Sequence, residues 1–291
     1  MTQNFKQIIS NTFGLLGEKW LENLPEIISA LQKKWHLSEI HPISNMTYHF
    51  VAKAMKFPNI PVVIKIGCDK KLAIDEAAIL NHFKSGIMVG LLDFQVDYNA
   101  LLLEQVIPGH SLKSFYPQKI DVVMKTYANV IFKMHEHTFP RTEAFPSIAY
   151  WLDAFEKVDS KGIIDDQILT SAISKRDQLL SSMKNVKLLH GDLHLDNILE
   201  NKGEWVCIDP KGVWGEPEFE IAAFDIFAPS EIETISTDVL LYRINKLAKL
   251  TLVCSDRLKD WFFIRLVLSA IWSIEDKGDP SIALKLASLL A

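Results

Sequence analysis

The run Leu188-Leu189-His190-Gly191-Asp192-Leu193-His194-Leu195-Asp196-Asn197-Ile198-Leu199, followed by Trp205-Val206-Cys207-Ile208-Asp209-Pro210, decides how the rest of the chain is read. It sets an Asp, an Asn and a second Asp between apolar stretches. Asp192 and Asn197 match the spacing H-x-D-x-x-x-x-N, in which the Asp positions an acceptor hydroxyl and the Asn side-chain oxygen holds Mg²⁺. Mg²⁺ is a hard ion that takes oxygen ligands and keeps waters, so one carboxylate and one amide carbonyl suit it. The segment Asn201-Lys202-Gly203-Glu204 carries a hairpin signal with Gly at its tip. If Asn201 pairs with Glu204, Asn197 falls opposite Ile208 and beside Asp209, with Cα atoms roughly 5–6 Å apart. Two oxygen ligands for a metal then converge through local pairing alone. A competing reading, a metal held by His190 and His194, requires a helix that Gly191, Asp196 and Asn197 disfavour, and the H-E-x-x-H glutamate is absent.

Upstream, Pro61-Val62-Val63-Ile64-Lys65-Ile66-Gly67 reads as a buried strand with one lysine in it. A lysine among β-branched residues is costly unless an anion receives it, the alternative being an edge strand with Lys65 in water. Eleven residues on, Leu72 to Phe83 has helical periodicity with Glu76 on its apolar side. A strand lysine followed by a helix glutamate is the arrangement that fixes the amine on the α and β phosphates of a bound nucleotide. Two short apolar runs around Asp97-Tyr98-Asn99 predict a hairpin that ends in Glu104-Gln105-Val106-Ile107-Pro108-Gly109. Pro and Gly there mark a linker between two lobes, and backbone groups near Glu104, Gln105 and Val106 are placed to read an adenine edge.

The chain has 291 residues, 48% hydrophobic and 23% charged, which fits one large domain or two lobes and argues against disorder. A net charge of -5 without a dense basic run gives no footprint for nucleic acid. Three widely spaced cysteines, Cys68, Cys207 and Cys254, suggest neither a disulfide framework nor a zinc site. No secretory signal is visible, and the apolar segment Trp261 to Trp272 carries Arg265 in its middle and is too short to span a bilayer. The expectation is a cytoplasmic protein, a monomer or weak homodimer, without a nucleic-acid or membrane partner.

Helices are expected from Asn11 to Leu24, from Pro25 to about Trp35, and over Ile120–His137, Pro146–Phe155, Asp166–Ser181, Asp238–Val253, Asp256–Ile274 and Pro280–Leu290. His135 and His137 are read as helix-end residues. No G-x-x-x-x-G-K-[ST] or G-x-G-x-x-G occurs, so P-loop and Rossmann nucleotide binding are set aside. Glu216-Pro217-Glu218 superficially resembles the end of a protein-kinase activation segment. It follows Asp209 by only seven residues, too few for a peptide platform.

The residues together resemble the aminoglycoside phosphotransferase-type small-molecule kinases, in particular the streptomycin 6-kinase or hydroxyurea-resistance branch. The likeness runs through Phe13-Gly14 to Trp35, Val62–Gly67, Asp75-Glu76-Ala77-Ala78, Leu101–Gly109, His190–Leu199 and Ile208-Asp209-Pro210-Lys211-Gly212. It implies an α+β, protein-kinase-like two-lobed fold, with an antiparallel-sheet N-lobe over 1–104 and a mainly helical C-lobe over 105–291. ATP and Mg²⁺ are the implied cofactors, and a small-molecule hydroxyl is the implied acceptor. Lys65 would bind the phosphates and Glu76 would orient it. Asp192 would be the catalytic base, and Asn197 and Asp209 would hold Mg²⁺. The acidic residue after the Asp-Pro-Lys-Gly turn corresponds to Glu220, with Asp225 nearby, so both are expected at the acceptor, and Glu216 and Glu218 either complete an acidic group for a polycation or form a solvated acidic turn. Where relatives carry glycines over the phosphates, this chain has Ser44-Asn45-Met46-Thr47-Tyr48-His49. Alternatives are a kinase of another small metabolite on the same fold and a nucleotide-binding pseudokinase.

Overall fold

The computed structural model describes residues 3–44, 46–83, 86–136, 139–159 and 162–291. Asn45 of the glycine-poor loop and His137 lie outside them. In chain order the elements are α1 (Gln3–Trp35), β1 (Leu37–Pro42), β2 (His49–Lys56), β3 (Ile60–Gly67), α2 (Lys70–His82), β4 (Leu91–Gln95), β5 (Ala100–Glu104) and β6 (Pro108–Ser111). Then follow α3 (Ile120–His135), α4 (Ile148–Leu152), α5 (Ala154–Lys157), α6 (Asp166–Ser181), β7 (Lys187–Leu189), β8 (Ile198–Asn201), β9 (Glu204–Cys207) and β10 (Val213–Gly215). The chain ends with α7 (Pro217–Ile221), α8 (Thr237–Thr251), α9 (Ser255–Glu275) and α10 (Ser281–Leu290). It forms two compact units, one of Met1–Gly109 with Glu200–Val206 and one of His110–Leu199 with Cys207–Ala291.

The first unit is built on an antiparallel sheet in the order β1-β2-β3-β5-β4. Side chains alternate across a strand, so Phe50, Ala52 and Ala54 of β2 and Val62, Ile64 and Ile66 of β3 share one face. That face forms a single core with Phe5, Ile9, Trp20, Leu24, Leu31 and Trp35 of α1. Lys65 therefore belongs to the opposite face. Because β3 is the middle strand, with Lys65 paired to Val51 on one side and Leu101 on the other, the edge-strand reading of this lysine does not hold.

The N-terminal helices break elsewhere than expected. Pro25 lies inside α1, on its exposed side, and the chain turns at Gly14, whose φ of 54° and ψ of -136° suit only glycine. The pieces 3–13 and 15–35 then fold together, with the rings of Phe5 and Trp20 edge-on at 6.2 Å. Proline costs a helix one backbone bond, whereas a residue in glycine-only backbone ends it, so Gly14 outweighs Pro25.

The second unit is mainly helical. Trp261, Phe262, Phe263, Ile264, Val267, Leu268 and Ile271 of α9 are all buried, which marks a helix enclosed on several sides. Pro146–Phe155, expected as one helix, forms α4 and α5, and the short strands β7 and β10 pair as Leu189 with Val213 and Leu188 with Trp214. Among the described residues no helix is long and apolar enough to cross a membrane.

Gly17 gives a direct test of the helical hairpin. A Cβ there would stand 2.6 Å from the Ile9 carbonyl oxygen and 2.9 Å from Ile9 Cγ2. Gly17→Ala is expected to lower stability by about 1–3 kcal/mol in urea titration. The exposed Lys19→Ala should stay within about 0.5 kcal/mol of the parent. Equal midpoints for the two variants would contradict this packing.

Candidate active site

The first unit holds a buried ion pair. Lys65 Nζ lies 2.6 Å from Glu76 Oε2, and both residues are at most 6% exposed. The strand periodicity turns Lys65 away from the α1 face, and α2 brings Glu76 to it. Asp69 caps this helix by accepting the Leu72 N–H at 3.0 Å. At the end of β5, Glu104 N–H donates to the Gly90 carbonyl (2.9 Å), and Gln105 N–H donates to the Pro61 carbonyl (3.4 Å). Among the described residues no such bond is made by the Val106 N–H. The loop before β2 is held by sulfur, with Val51 N–H donating to Met46 Sδ at 3.2 Å.

In the second unit the loop 190–197 is pinned through its backbone. Asp192 N–H donates to His190 Nδ1 (3.2 Å), and the Asp192 carbonyl accepts from His194 N–H (3.0 Å) and from Asn197 Nδ2 (2.8 Å). The carboxylate itself remains 37% exposed. Asn197 is buried with its amide nitrogen committed, so Oδ1 is the atom that can ligate a cation. Ile208 N–H donates to the Asn197 carbonyl at 2.9 Å, the register that makes Asn197 and Asp209 neighbours across the hairpin. The Asp209 carboxylate is one-third exposed, and Lys211 Nζ lies 2.9 Å from its Oδ1. Among the described residues no three His, Cys, Asp or Glu side chains gather as a metal cage. One amide oxygen and one carboxylate fit a divalent cation that arrives with phosphate oxygens of its own.

The acidic segment is arranged differently from the expectation. Glu220 is fully buried, accepting His190 N–H at 2.5 Å on Oε2 and Gly191 N–H at 3.1 Å on Oε1. Burial pushes its carboxyl up to about 7, against the opposing pull of Arg265 and the two amides. Asp225 accepts Leu195 N–H at 2.8 Å and pairs with Lys113. Glu216, 1% exposed, is bound by Arg257, with Nε at 2.6 Å, and by the Trp261 indole N–H. The acceptor role expected for Glu220 thus gives way to a structural one, because both its oxygens are spent on the backbone of loop 190–197, whereas Asp225 divides its oxygens between the Leu195 N–H and Lys113. Arg265, Arg257 and Trp261 were missed as parts of this arrangement. The available signal was Arg265 standing alone in an apolar run.

His190 links the loop 190–197 to Ile208 within the second unit. Its Nδ1 accepts from Asp192 N–H, so Nε2 carries the proton and donates to the Ile208 carbonyl at 2.9 Å. Burial holds the ring neutral, with its pKa lowered to about 4 from 6.5. The unfolded chain therefore takes up a proton that the folded one refuses. This contribution is complete above pH 6.5 and is lost as pH falls toward 4. Across that window the parent should lose roughly 3 kcal/mol more stability than His190→Gln in urea unfolding, Glu220 being common to both. Parallel curves would show that the imidazole is not held neutral.

Residues 34–277 match the family described as aminoglycoside/hydroxyurea antibiotic resistance kinase. Streptomycin 6-kinase from Streptomyces griseus is 23% identical over 273 residues, covering 92% of this chain and 88% of that relative. Among solved structures, a choline kinase from Streptococcus pneumoniae aligns with a TM-score of 0.68 at 16% identity, over 91% of this chain and 98% of that one. A thermostable mutant of an aminoglycoside phosphotransferase, in ternary complex with ADP and hygromycin B, also aligns with a TM-score of 0.68, at 14% identity over 90% and 96%. The fold is that of the protein-kinase-like phosphotransferases, an antiparallel-sheet unit and a mainly helical unit. With its family model matching most of the chain, this protein belongs to the aminoglycoside/hydroxyurea antibiotic resistance kinases, phosphotransferases that act on small molecules.

Proposed function

We propose that this kinase transfers the γ-phosphoryl group of ATP, bound with Mg²⁺, to a hydroxyl of an aminoglycoside of the streptomycin type. The observation that carries the reading is Asp192, whose backbone is bonded at its N–H and its carbonyl while its carboxylate stays 37% exposed. A carboxylate held in this way orients a hydroxyl and accepts its proton as the phosphoryl leaves. The name of the Streptomyces griseus relative suggests the acceptor.

Phosphoryl transfer asks the protein for charge neutralisation and alignment more than for covalent chemistry. Lys65, oriented by Glu76, supplies a cation for the α and β phosphates. Asn197 Oδ1 and the Asp209 carboxylate would hold the metal, beside the Lys211 ammonium that lies 2.9 Å from Asp209 Oδ1. Bound Mg²⁺ supplies neutralisation of the phosphate oxygens. Val106, with its backbone N–H, and the neighbouring Glu104 and Gln105 meet the nucleobase.

A second reading is a kinase of a less highly charged alcohol. What favours it is the inward use of Glu216 and Glu220, which removes two of the four acids expected to hold a polycation.

ADP release from Mg-ATP in the presence of streptomycin, other aminoglycosides, hydroxyurea and choline separates the two readings. Streptomycin is expected to give the largest kcat/KM, and a preference for choline would favour the second. Asp192→Asn should lower kcat about 10²–10⁴-fold while calorimetric Mg-ATP affinity stays near that of the parent. Undiminished turnover in this variant would remove Asp192 from the reaction. Asp209→Asn should weaken Mn²⁺ binding in the presence of ADP by about tenfold or more, read by electron paramagnetic resonance. Unchanged Mn²⁺ affinity would exclude Asp209 as a ligand.

A further inference from the structure

The direction in which the Asp192 side chain leaves the backbone is set by the two peptide planes that meet at its Cα. The following plane is held at its carbonyl by His194 N–H (3.0 Å) and Asn197 Nδ2 (2.8 Å). The preceding plane, which joins Gly191 to Asp192, is held at its N–H end by His190 Nδ1 (3.2 Å). Its carbonyl end is reached from outside the loop. Arg265 of α9 directs Nη1 and Nη2 at the Gly191 oxygen, at 3.3 and 3.4 Å.

Glu220 of α7 completes the grip one residue earlier, with one carboxylate oxygen on each of the His190 and Gly191 amides. Three successive peptide units are thus held by two side chains of opposite charge. The surroundings keep both in place. The guanidinium of Arg265 lies over the Phe219 ring at 4.7 Å, and Tyr127 donates its hydroxyl proton to the Glu220 carbonyl at 3.1 Å. Gly191 leaves no slack, since its φ is +88° and a Cβ there would stand 2.7 Å from the Trp151 ring. The Arg265 charge acts on both Glu220 and Asp192.

We propose that Arg265 is a positioning residue for Asp192, joining Glu220 in gripping the loop that carries it so that the side chain leaves the backbone at one fixed angle. This rests on the reading of Asp192 as the group that orients the acceptor hydroxyl. Glu220 is fully buried and Arg265 partly so, and opposite charges enclosed like this and bonded to backbone stabilise little in themselves, yet removing one leaves the other uncompensated. What the pair confers is aim, and a small misplacement of a reacting group costs on the order of 100-fold in rate.

The test separates aim from stability. ADP release from Mg-ATP is measured with streptomycin and with water alone as acceptor, for the parent, Asp192→Asn, Arg265→Met, Arg265→Lys and the double variant Glu220→Gln/Arg265→Met. Melting temperature and hydrogen exchange of the 188–195 segment are followed in each. Arg265→Met is expected to lower kcat about 100-fold with KM for Mg-ATP within about threefold, and to speed exchange in the segment. The double variant, which leaves no orphan charge, should regain melting temperature without regaining kcat. A merely structural pair would restore both together. A folded Arg265→Met or double variant with kcat near that of the parent, beside an inactive Asp192→Asn, overturns the proposal. Should both fail to fold, Arg265→Lys decides, a drop in kcat at constant KM supporting it and an unchanged kcat overturning it. An active Asp192→Asn instead removes the reading of Asp192 itself, an outcome distinct from the others.

Discussion

The bond from Ile208 N–H to the Asn197 carbonyl, 2.9 Å long, closes the base of the β8–β9 hairpin, and the second unit's polar site depends on it. Without that register, Asn197 would belong to a loop and Asp209 to an unrelated turn. With it, the residue before β8 and the second residue after β9 become neighbours through backbone geometry alone. His190 extends the same register, because its ring joins the Asp192 amide to the Ile208 carbonyl. A neutral imidazole can accept at one edge and donate at the other, whereas the protonated ring can only donate, which is why burial that lowers its pKa serves the architecture.

The first unit obeys a different constraint. Lys65 stands on the central strand of a five-stranded sheet, where an unpaired ammonium would cost several kcal/mol. The face opposite α1 therefore has to receive an acid, and α2 supplies Glu76 at 2.6 Å. The ion pair contributes little net stability after desolvation, so its presence in a sheet that would pack well with a leucine is better explained by chemistry than by folding.

Much of this was legible in the sequence because it rests on local rules. The hairpin tip at Lys202-Gly203, the periodicity around Lys65 and Glu76, and the long helices α3, α6, α8 and α9 each follow from spacing within one segment. The N-terminal turn was misplaced at Pro25 because proline is an obvious breaker, whereas the backbone of Gly14 (φ 54°, ψ -136°) is selected by the packing of Phe5 and Ile9, which are distant in sequence from the sheet they meet. Glu220 was misread for a related reason. Its partners, the His190 and Gly191 amides, are about thirty residues upstream, and a polar side chain in sequence does not announce whether it turns to solvent or to backbone. Arg265 did leave a mark, as a charge inside an apolar helix, but its target was a carbonyl that no motif reveals.

The acidic residues of the second unit divide by exposure, and the division separates holding from acting. Glu216 and Glu220 are at most 1% exposed, and their oxygens are committed to Arg257, Trp261 and the 190–191 amides. Asp192 and Asp209, by contrast, keep carboxylates about one-third exposed while the backbone around them is bonded. A carboxylate that must exchange partners during a reaction has to be reachable, and one that sets geometry has to be satisfied. A phosphotransferase needs both kinds close together, because alignment within a fraction of an ångström is worth more to the rate than any single charge. The inward acids supply that alignment, and the reachable ones stay accessible on a backbone that is held for them.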